Sequence, residues 1–239
     1  MISKNSIEIS NVNKSFGSKK ILNDLLMTIK SSERYVLLGS NGSGKTTLAK
    51  LLTTLNAPDT GKILLNGNDS IKDAEYIRSF IGYVGHNSLL YGDLNAYDNL
   101  RFFSNFYPKF NFKKQFDYLS HLLNLSHLIN QKVNKLSHGE RKRVSIMKAM
   151  ITNPSILIMD EPDAGLDINS LDNLRNSFFP DLVSRNITVF MTTHNTELAI
   201  SIASVIGILH QGQIRFETRA TNQFLETISK YKSMDTNQS

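Results

Sequence analysis

The chain has 239 residues, 40% of them apolar and 20% charged, which is enough to bury a substantial core in one folding unit. Its formal net charge of +6 is scattered without long like-charge runs, an ordinary solvated surface that gives no support for nucleic-acid binding. Having no cysteine excludes disulfides, thiolate metal sites and cysteine nucleophiles together, and no segment approaches the roughly 18 apolar residues of a membrane span, so direct membrane insertion is not expected.

The opening segment, MISKNSIEIS, alternates apolar and polar residues like a strand and lacks the apolar core of a secretory signal, which reads as an intracellular chain. Residues 5–30 read as strand, turn at Gly17, and strand, a small antiparallel sheet. Tyr35-Val36-Leu37-Leu38 is a short apolar run expected of a strand buried on both faces, followed by a helix from Thr46 to about Leu55. Gly61 and Gly67 punctuate a further strand pair. From Asn99 to Lys135 the composition becomes helical and aromatic, with Phe102, Phe103, Phe106, Phe112, Phe116 and Tyr118 close together. Helical spacing resumes from Glu140 to Ile151 and is stopped by Asn153-Pro154. Two more buried-strand runs follow, Ile156 to Met159 and Ile187 to Met191, and Asp235 to Ser239 reads as a disordered tail.

Each of the three buried runs ends at chemically competent residues, and parallel α/β sheets bind ligands beyond their strand carboxyl ends. After the first comes Gly39-Ser40-Asn41-Gly42-Ser43-Gly44-Lys45-Thr46, continued by Thr47, which is the P-loop pattern between strand and helix. Its backbone N–H groups and helix N-terminus suit phosphate, Lys45 suits the β and γ phosphates, and the Thr46 hydroxyl suits Mg²⁺. The second run ends in Asp160-Glu161-Pro162. Asp160 fits a second Mg²⁺ anchor, and Glu161, turned by Pro162, fits the base that polarises the attacking water. The third ends in Thr192-Thr193-His194, where His194 suits a hydrogen bond to the γ-phosphate, against the alternative of a structural histidine.

Between these strands stand Leu136-Ser137-His138-Gly139-Glu140, 23 residues from Ser137 to Asp160. They resemble the LSGGQ signature of the ABC ATPase superfamily, with His138 and Glu140 as departures. With the P-loop, Ile156 to Glu161, Ala164-Gly165-Leu166-Asp167 and His194, the resemblance covers nearly the whole chain in the family's order. It implies an α/β fold: a P-loop NTPase core with a mostly parallel sheet, an N-terminal antiparallel β subdomain, and an inserted helical subdomain over about 99–150. All of this lies within one ATP-binding domain, 1–239.

The resemblance further implies ATP and Mg²⁺ as ligands, hydrolysis coupled to transport, and a homodimer or heterodimer with a second such ATPase. Ser137 and Gly139 would contact the γ-phosphate held by the partner, and Asp167 would couple the two sites. Phe16 occupies the position that stacks on adenine, the alternative being a core phenylalanine. The imidazole of His138 is expected to alter affinity near pH 6–7. At His86 the family usually has a Mg²⁺-ligating glutamine. Because Mg²⁺ prefers hard oxygen, either His86 acts through water or the Asn87 amide oxygen takes the role. Gly85-His86 followed by Leu89 to Leu100 looks like the haem-exporter ATPases of cytochrome c maturation, with a related multidrug-type exporter as the neighbouring reading. The aromatic stretch then either receives a coupling helix of an integral membrane subunit, placing the chain peripherally on the cytoplasmic face of the inner membrane, or is subdomain core. Soluble ABC ATPases of DNA repair and translation fit poorly for want of a coiled-coil insertion or a second cassette; the iron–sulfur assembly type stays open.

Overall fold

Alternating apolar residues between Ile7 and Ile29 fold into two antiparallel strands, β1 (Asn5–Phe16) and β2 (Lys19–Lys30), joined at Gly17. This is seen in a computed structural model describing residues 5–107, 110–219 and 221–236. Strand β3 (Arg34–Leu38) belongs to the other sheet, while β4 (Thr60–Leu65) and the two-residue β5 (Asn68–Asp69) extend the first in the order β2-β1-β4-β5. The second sheet adds β6 (Ile81–Val84), β7 (Ile156–Asp160), β8 (Thr188–Thr192), β9 (Val205–His210) and β10 (Gln213–Thr218). Its order is β10-β9-β3-β8-β7-β6, parallel except where β9 meets β10.

Successive strand side chains point to opposite faces, so the continuous apolar runs feed two cores. Tyr35, Leu37, Ile156, Ile158 and Phe190 join one core with the first sheet and with helix α1 (Lys45–Leu52). Val36, Leu38, Leu157, Met159, Val189 and Met191 join the other. That second core also takes in the helical part: α3 (Ala96–Ser104) and α4 (Phe112–Leu122), which follow the short α2 (Ala74–Arg78), and α5 (His138–Met150). Beyond β7 come α6 (Ile168–Asn173), a π-helical turn over Leu174–Phe178, α7 (Phe179–Ser184), α8 (Thr196–Ile202) and α9 (Phe224–Thr236).

Several expectations shift. Helix α1 ends at Leu52, not Leu55, because Thr54 takes a left-handed φ of 57° that no helix continues. Helix α5 starts at His138, two residues early, because Ser137 and Glu140 form a capping box there. The helical reading of residues 99–135 holds as two helices, since Asn95 and Asn111 each cap a separate one. Glu161 is turned by its own φ of 50° rather than by Pro162. Asp235 and Thr236 continue α9, so the disordered reading fails for them, and 237–239 lie outside the described residues.

Strand β9 and its neighbour β10 escaped the sequence reading because Gly207 interrupts the apolar run. The structure uses that gap: a Cβ at Gly207 would lie 2.2 Å from the Tyr35 hydroxyl, which donates to Glu217 at 2.9 Å. Gly82 in β6 has a similar duty, since a Cβ there would lie 2.4 Å from the Ala149 carbonyl oxygen. Because that neighbour is backbone, Gly82→Ala is expected to push α5 off the sheet. The thermal midpoint should fall by roughly 5–10 °C, measured by calorimetry.

Candidate functional site

Strand register brings the three competent ends level. Leu37 of β3 pairs with Thr192 of β8, and Thr192 pairs with Asp160 of β7. What leaves these strands therefore leaves together. From β3 the chain passes through 39–44 into α1, whose N-cap, Gly44, has φ 111° and supplies no side-chain cap. A Cβ there would press on Ile21 and Leu22 at 3.0–3.1 Å, so glycine is required both by angle and by space. The first N–H groups of α1 have no intrahelical acceptor and are open to an anion. The Ser43 hydroxyl is buried without a hydrogen-bond partner. Beside the loop lies a cavity of about 290 Å³ lined by Lys19, Lys20, Ser40, Asn41, Gly42 and Ser43 among others.

The Lys45 ammonium, only 5% exposed, donates to the Gly39 carbonyl at 2.7 Å and the Ser40 carbonyl at 3.1 Å. It also stands 3.1 Å from His194 Nε2 and 3.9 Å from Glu161 Oε1. His194 Nε2 lies 2.8 Å from the same Glu161 oxygen. A ring nitrogen holds one proton, so Nε2 donates to Glu161 when protonated and accepts from Lys45 when not. Three candidates far apart in sequence thus share one point of space. Glu161 holds its left-handed backbone by donating its N–H towards the Thr192 carbonyl and hydroxyl, both at 3.1 Å. Such strain persists only where the surroundings enforce it.

Asp160 is 1% exposed and accepts from the Thr192 hydroxyl at 2.7 Å. Thr46 is exposed, and Thr47 half-buried, on the first turn of α1. Among the described residues no three His, Asp or Glu cluster around a metal position. That donor set, one carboxylate and one hydroxyl, suits a Mg²⁺ ion that takes its remaining oxygens from phosphates and water.

Ser137, Gly139 and Asp167 form a second cluster. The Ser137 hydroxyl accepts the Glu140 N–H at 3.2 Å while Glu140 Oε2 accepts the Ser137 N–H at 2.7 Å, so the departure from glutamine completes a helix cap. The His138 ring rests on Gly165, where a Cβ would come within 2.5 Å of Nδ1. Asp167 accepts the Ser170 N–H at 2.7 Å as the cap of α6, and that bond, with further help from Ser170, lowers its carboxyl pKa. A Cβ at Gly139 would meet nothing closer than 3.6 Å, so packing inside the chain does not demand glycine there.

Phe16 is 53% exposed at the end of β1, which removes the core alternative; Lys14 Nζ sits 5.5 Å from its ring centre. His86 and Asn87 stand exposed just beyond β6. The aromatic stretch divides. Phe112 and Phe116 enter the core, Phe102 and Phe106 are exposed, and Phe103 and Tyr107 line a cavity of about 210 Å³ with Arg78, Tyr83 and Lys148.

Sequence reasoning missed five neighbours of the carboxylates. Besides Thr192 these are Thr193, which donates to Asp163 at 2.8 Å, Asp163 itself, Tyr83 and Lys142. Burial raises the Asp163 carboxyl pKa, and burial, with Asp160 near, pushes the Tyr83 hydroxyl up to about 12. Asp163, three residues past β7, and Thr192 and Thr193 at the end of the third apolar run had a local signal; Tyr83 and Lys142 had none.

A family model described as ABC transporter matches residues 22–164, more than half of the chain. The chain belongs to the ABC transporter family. Over 216 residues, 87% of it, the chain is 33% identical to the sulfate/thiosulfate import ATP-binding protein CysA of Pectobacterium atrosepticum, spanning 65% of that protein's length. Over 209 residues, again 87% of the chain, it is 32% identical to the Nod factor export ATP-binding protein I of Burkholderia lata and spans 68% of it. The fold superimposes on the dimeric structure of MJ0796, a bacterial ABC transporter cassette, with a TM-score of 0.81 at 25% identity, covering 89% of this chain and 97% of that one. Among these family members the antiparallel sheet, mostly parallel sheet and helical insertion are the shared architecture.

Proposed function

We propose that this cassette binds and hydrolyses ATP as the peripheral subunit of a membrane transporter, and that it works as a head-to-tail dimer closing around two nucleotides. The observation that carries the reading is the convergence of Lys45, Glu161 and His194 within 2.8–3.9 Å of one another beside the open N-terminus of α1. The phosphates lie along residues 39–47, with Lys45 leaving its carbonyl partners for the β and γ groups. Glu161 takes a proton from water as the water oxygen bonds to the γ-phosphorus. The bond from that phosphorus to the ADP oxygen breaks, and ADP leaves with the electron pair. His194 holds Glu161 and the γ-phosphate in line. Thr46 and Asp160 would hold Mg²⁺, with His86 through water or Asn87 as a further holder, and the ion would offset the charge on the phosphate oxygens.

Residues 1–239 act as one domain, since both cores share the strands of the six-stranded sheet. That packing inside the chain does not demand glycine at Gly139 supports a role for Ser137 and Gly139 towards the partner's γ-phosphate, with Asp167 coupling the sites. The Ser137 hydroxyl, already an acceptor for Glu140, keeps its proton to donate. The dimeric MJ0796 cassette supports the same assembly.

No helix of the described residues is long and apolar enough to cross a membrane. The cargo passes through an integral membrane part that docks on the groove lined by Phe103 and Tyr107. A haem-exporter or multidrug-type cargo is supported by Gly85-His86 and residues 89–100 alone. The relatives named above are an importer and an exporter of other cargoes.

The test is phosphate release from Mg-ATP by the purified chain, together with the identity of what co-purifies. Turnover without any multispan partner from the source cell would favour a soluble assembly ATPase. The adenine reading has its own check. Phe16→Ala is expected to weaken ATP binding by roughly 5- to 150-fold in equilibrium titration, the worth of one stacked base, while leaving the thermal midpoint in place.

A further inference from the structure

Helix α5 begins at the signature residues and carries Lys142, Ser145 and Lys148 at spacings of three, hence on one face. That face grips the segment that follows β6. Lys142 Nζ donates to the Gly85 carbonyl at 3.1 Å, and the Ser145 hydroxyl donates to the Ser88 carbonyl at 3.4 Å. Lys148 Nζ donates to the Ser88 carbonyl at 3.0 Å and the Leu89 carbonyl at 3.1 Å. Four hydrogen bonds therefore fasten residues 85–89, which include His86 and Asn87, to the helix whose N-terminus holds Ser137 and Gly139.

Lysines ordinarily keep their ammonium groups in water. Here Lys142 is 3% exposed, and the Lys148 ammonium sits 4.6 Å from the centre of the Phe103 ring. Burial lowers both pKa values, that of Lys148 to about 8, while Asp160, Asp163 and Glu161 act on Lys142 in the opposite sense. A plain structural helix gains nothing from burying Lys142 and half-burying Lys148, cations that an apolar residue would replace at less cost. Their carbonyl partners are what the burial secures. Lys148 also lines the cavity beside Phe103 and Tyr107, so whatever fills that groove bears on the same fastening.

We propose that Lys142 and Lys148 are positioning residues that bolt segment 85–89 to the signature helix, so that the two move as one piece. The part concerning turnover rests on the hydrolytic reading above; the bolt itself does not.

The experiment compares amide hydrogen exchange, read by mass spectrometry, in the parent chain, in Lys142→Met/Lys148→Met and in Lys148→Arg, each with and without Mg-ADP. In the parent, peptides covering 85–92 and 137–148 should change protection together when nucleotide is added. In the double methionine variant, exchange over 85–92 should rise by about 10-fold or more and lose its response to nucleotide, while 137–148 keeps its own. The Lys148→Arg variant should stay close to the parent, because a guanidinium also serves two carbonyls. Under saturating ATP the double variant should lose about 10-fold or more in kcat with little change in KM, the pattern of lost positioning rather than lost binding. Unchanged exchange over 85–92 in the double variant overturns the proposal. So does a rise spread equally over peptides of β3 and β8, which would mark general destabilisation. If the parent itself releases no phosphate, the hydrolytic reading fails, and the exchange data still decide the bolt.

Discussion

Glu161→Gln is expected to lower phosphate release about 10²- to 10⁴-fold, the usual contribution of a positioned general base. The carboxylate is placed for that work. It is held 2.8 Å from His194 Nε2 and 3.9 Å from Lys45 Nζ, on a backbone whose φ of 50° is tied down by Thr192. Glutamine has the same shape and the same backbone preferences but cannot take a proton from water. The variant should therefore fold, bind ATP and keep it. If nucleotide shared between two copies closes the dimer, this variant with Mg-ATP should run as a stable dimer in light scattering, whereas the parent should revert to monomer as ATP is consumed. Phosphate release near the parent's rate would remove Glu161 from its assigned role.

Lys45→Ala is expected to weaken nucleotide binding by roughly 10- to 150-fold, the worth of a hydrogen bond made to a charged group. Calorimetric titration with ATP and with AMP separates the effect. Lys45 is assigned to the β and γ phosphates, so the loss should appear with ATP and be nearly absent with AMP. In the free chain the ammonium is parked against the Gly39 and Ser40 carbonyls. Removing it leaves those carbonyls turned towards an incoming anion, which adds to the loss. Arginine should not rescue the defect, because its larger planar head does not fit where a buried point charge sits. Equal weakening with AMP would mean that Lys45 supports the loop and not the terminal phosphates.

What could be read from residues alone was what depends on neighbours in the chain. The glycines, Lys45 and Thr46 needed only their spacing and the strand before them. Asp160-Glu161 and His194 needed only the apolar runs they terminate. The antiparallel β1–β2 pair and the buried strands β3, β7 and β8 followed from periodicities of the same short range. Helix limits were less legible, because a cap such as Ser137 with Glu140, or a left-handed Thr54, ends an element by one side chain or one dihedral angle. Strand β9 was hidden by Gly207, whose missing side chain answers to Tyr35, a residue 172 positions away in sequence.

The sequence by itself determined the family, the sheet-and-helix architecture and the inventory of chemical groups, since each of these is encoded in contiguous motifs. Only the tertiary structure decided that Lys45, Glu161 and His194 share one contact point, that Phe16 stands clear of the core, and that two lysines of α5, one buried and one half-buried, hold the segment carrying His86. The physical reason is that these facts hang on strand order and register. The alignment of Leu37, Thr192 and Asp160 across three strands is set by packing of the whole sheet between its two cores, which no local stretch of residues specifies.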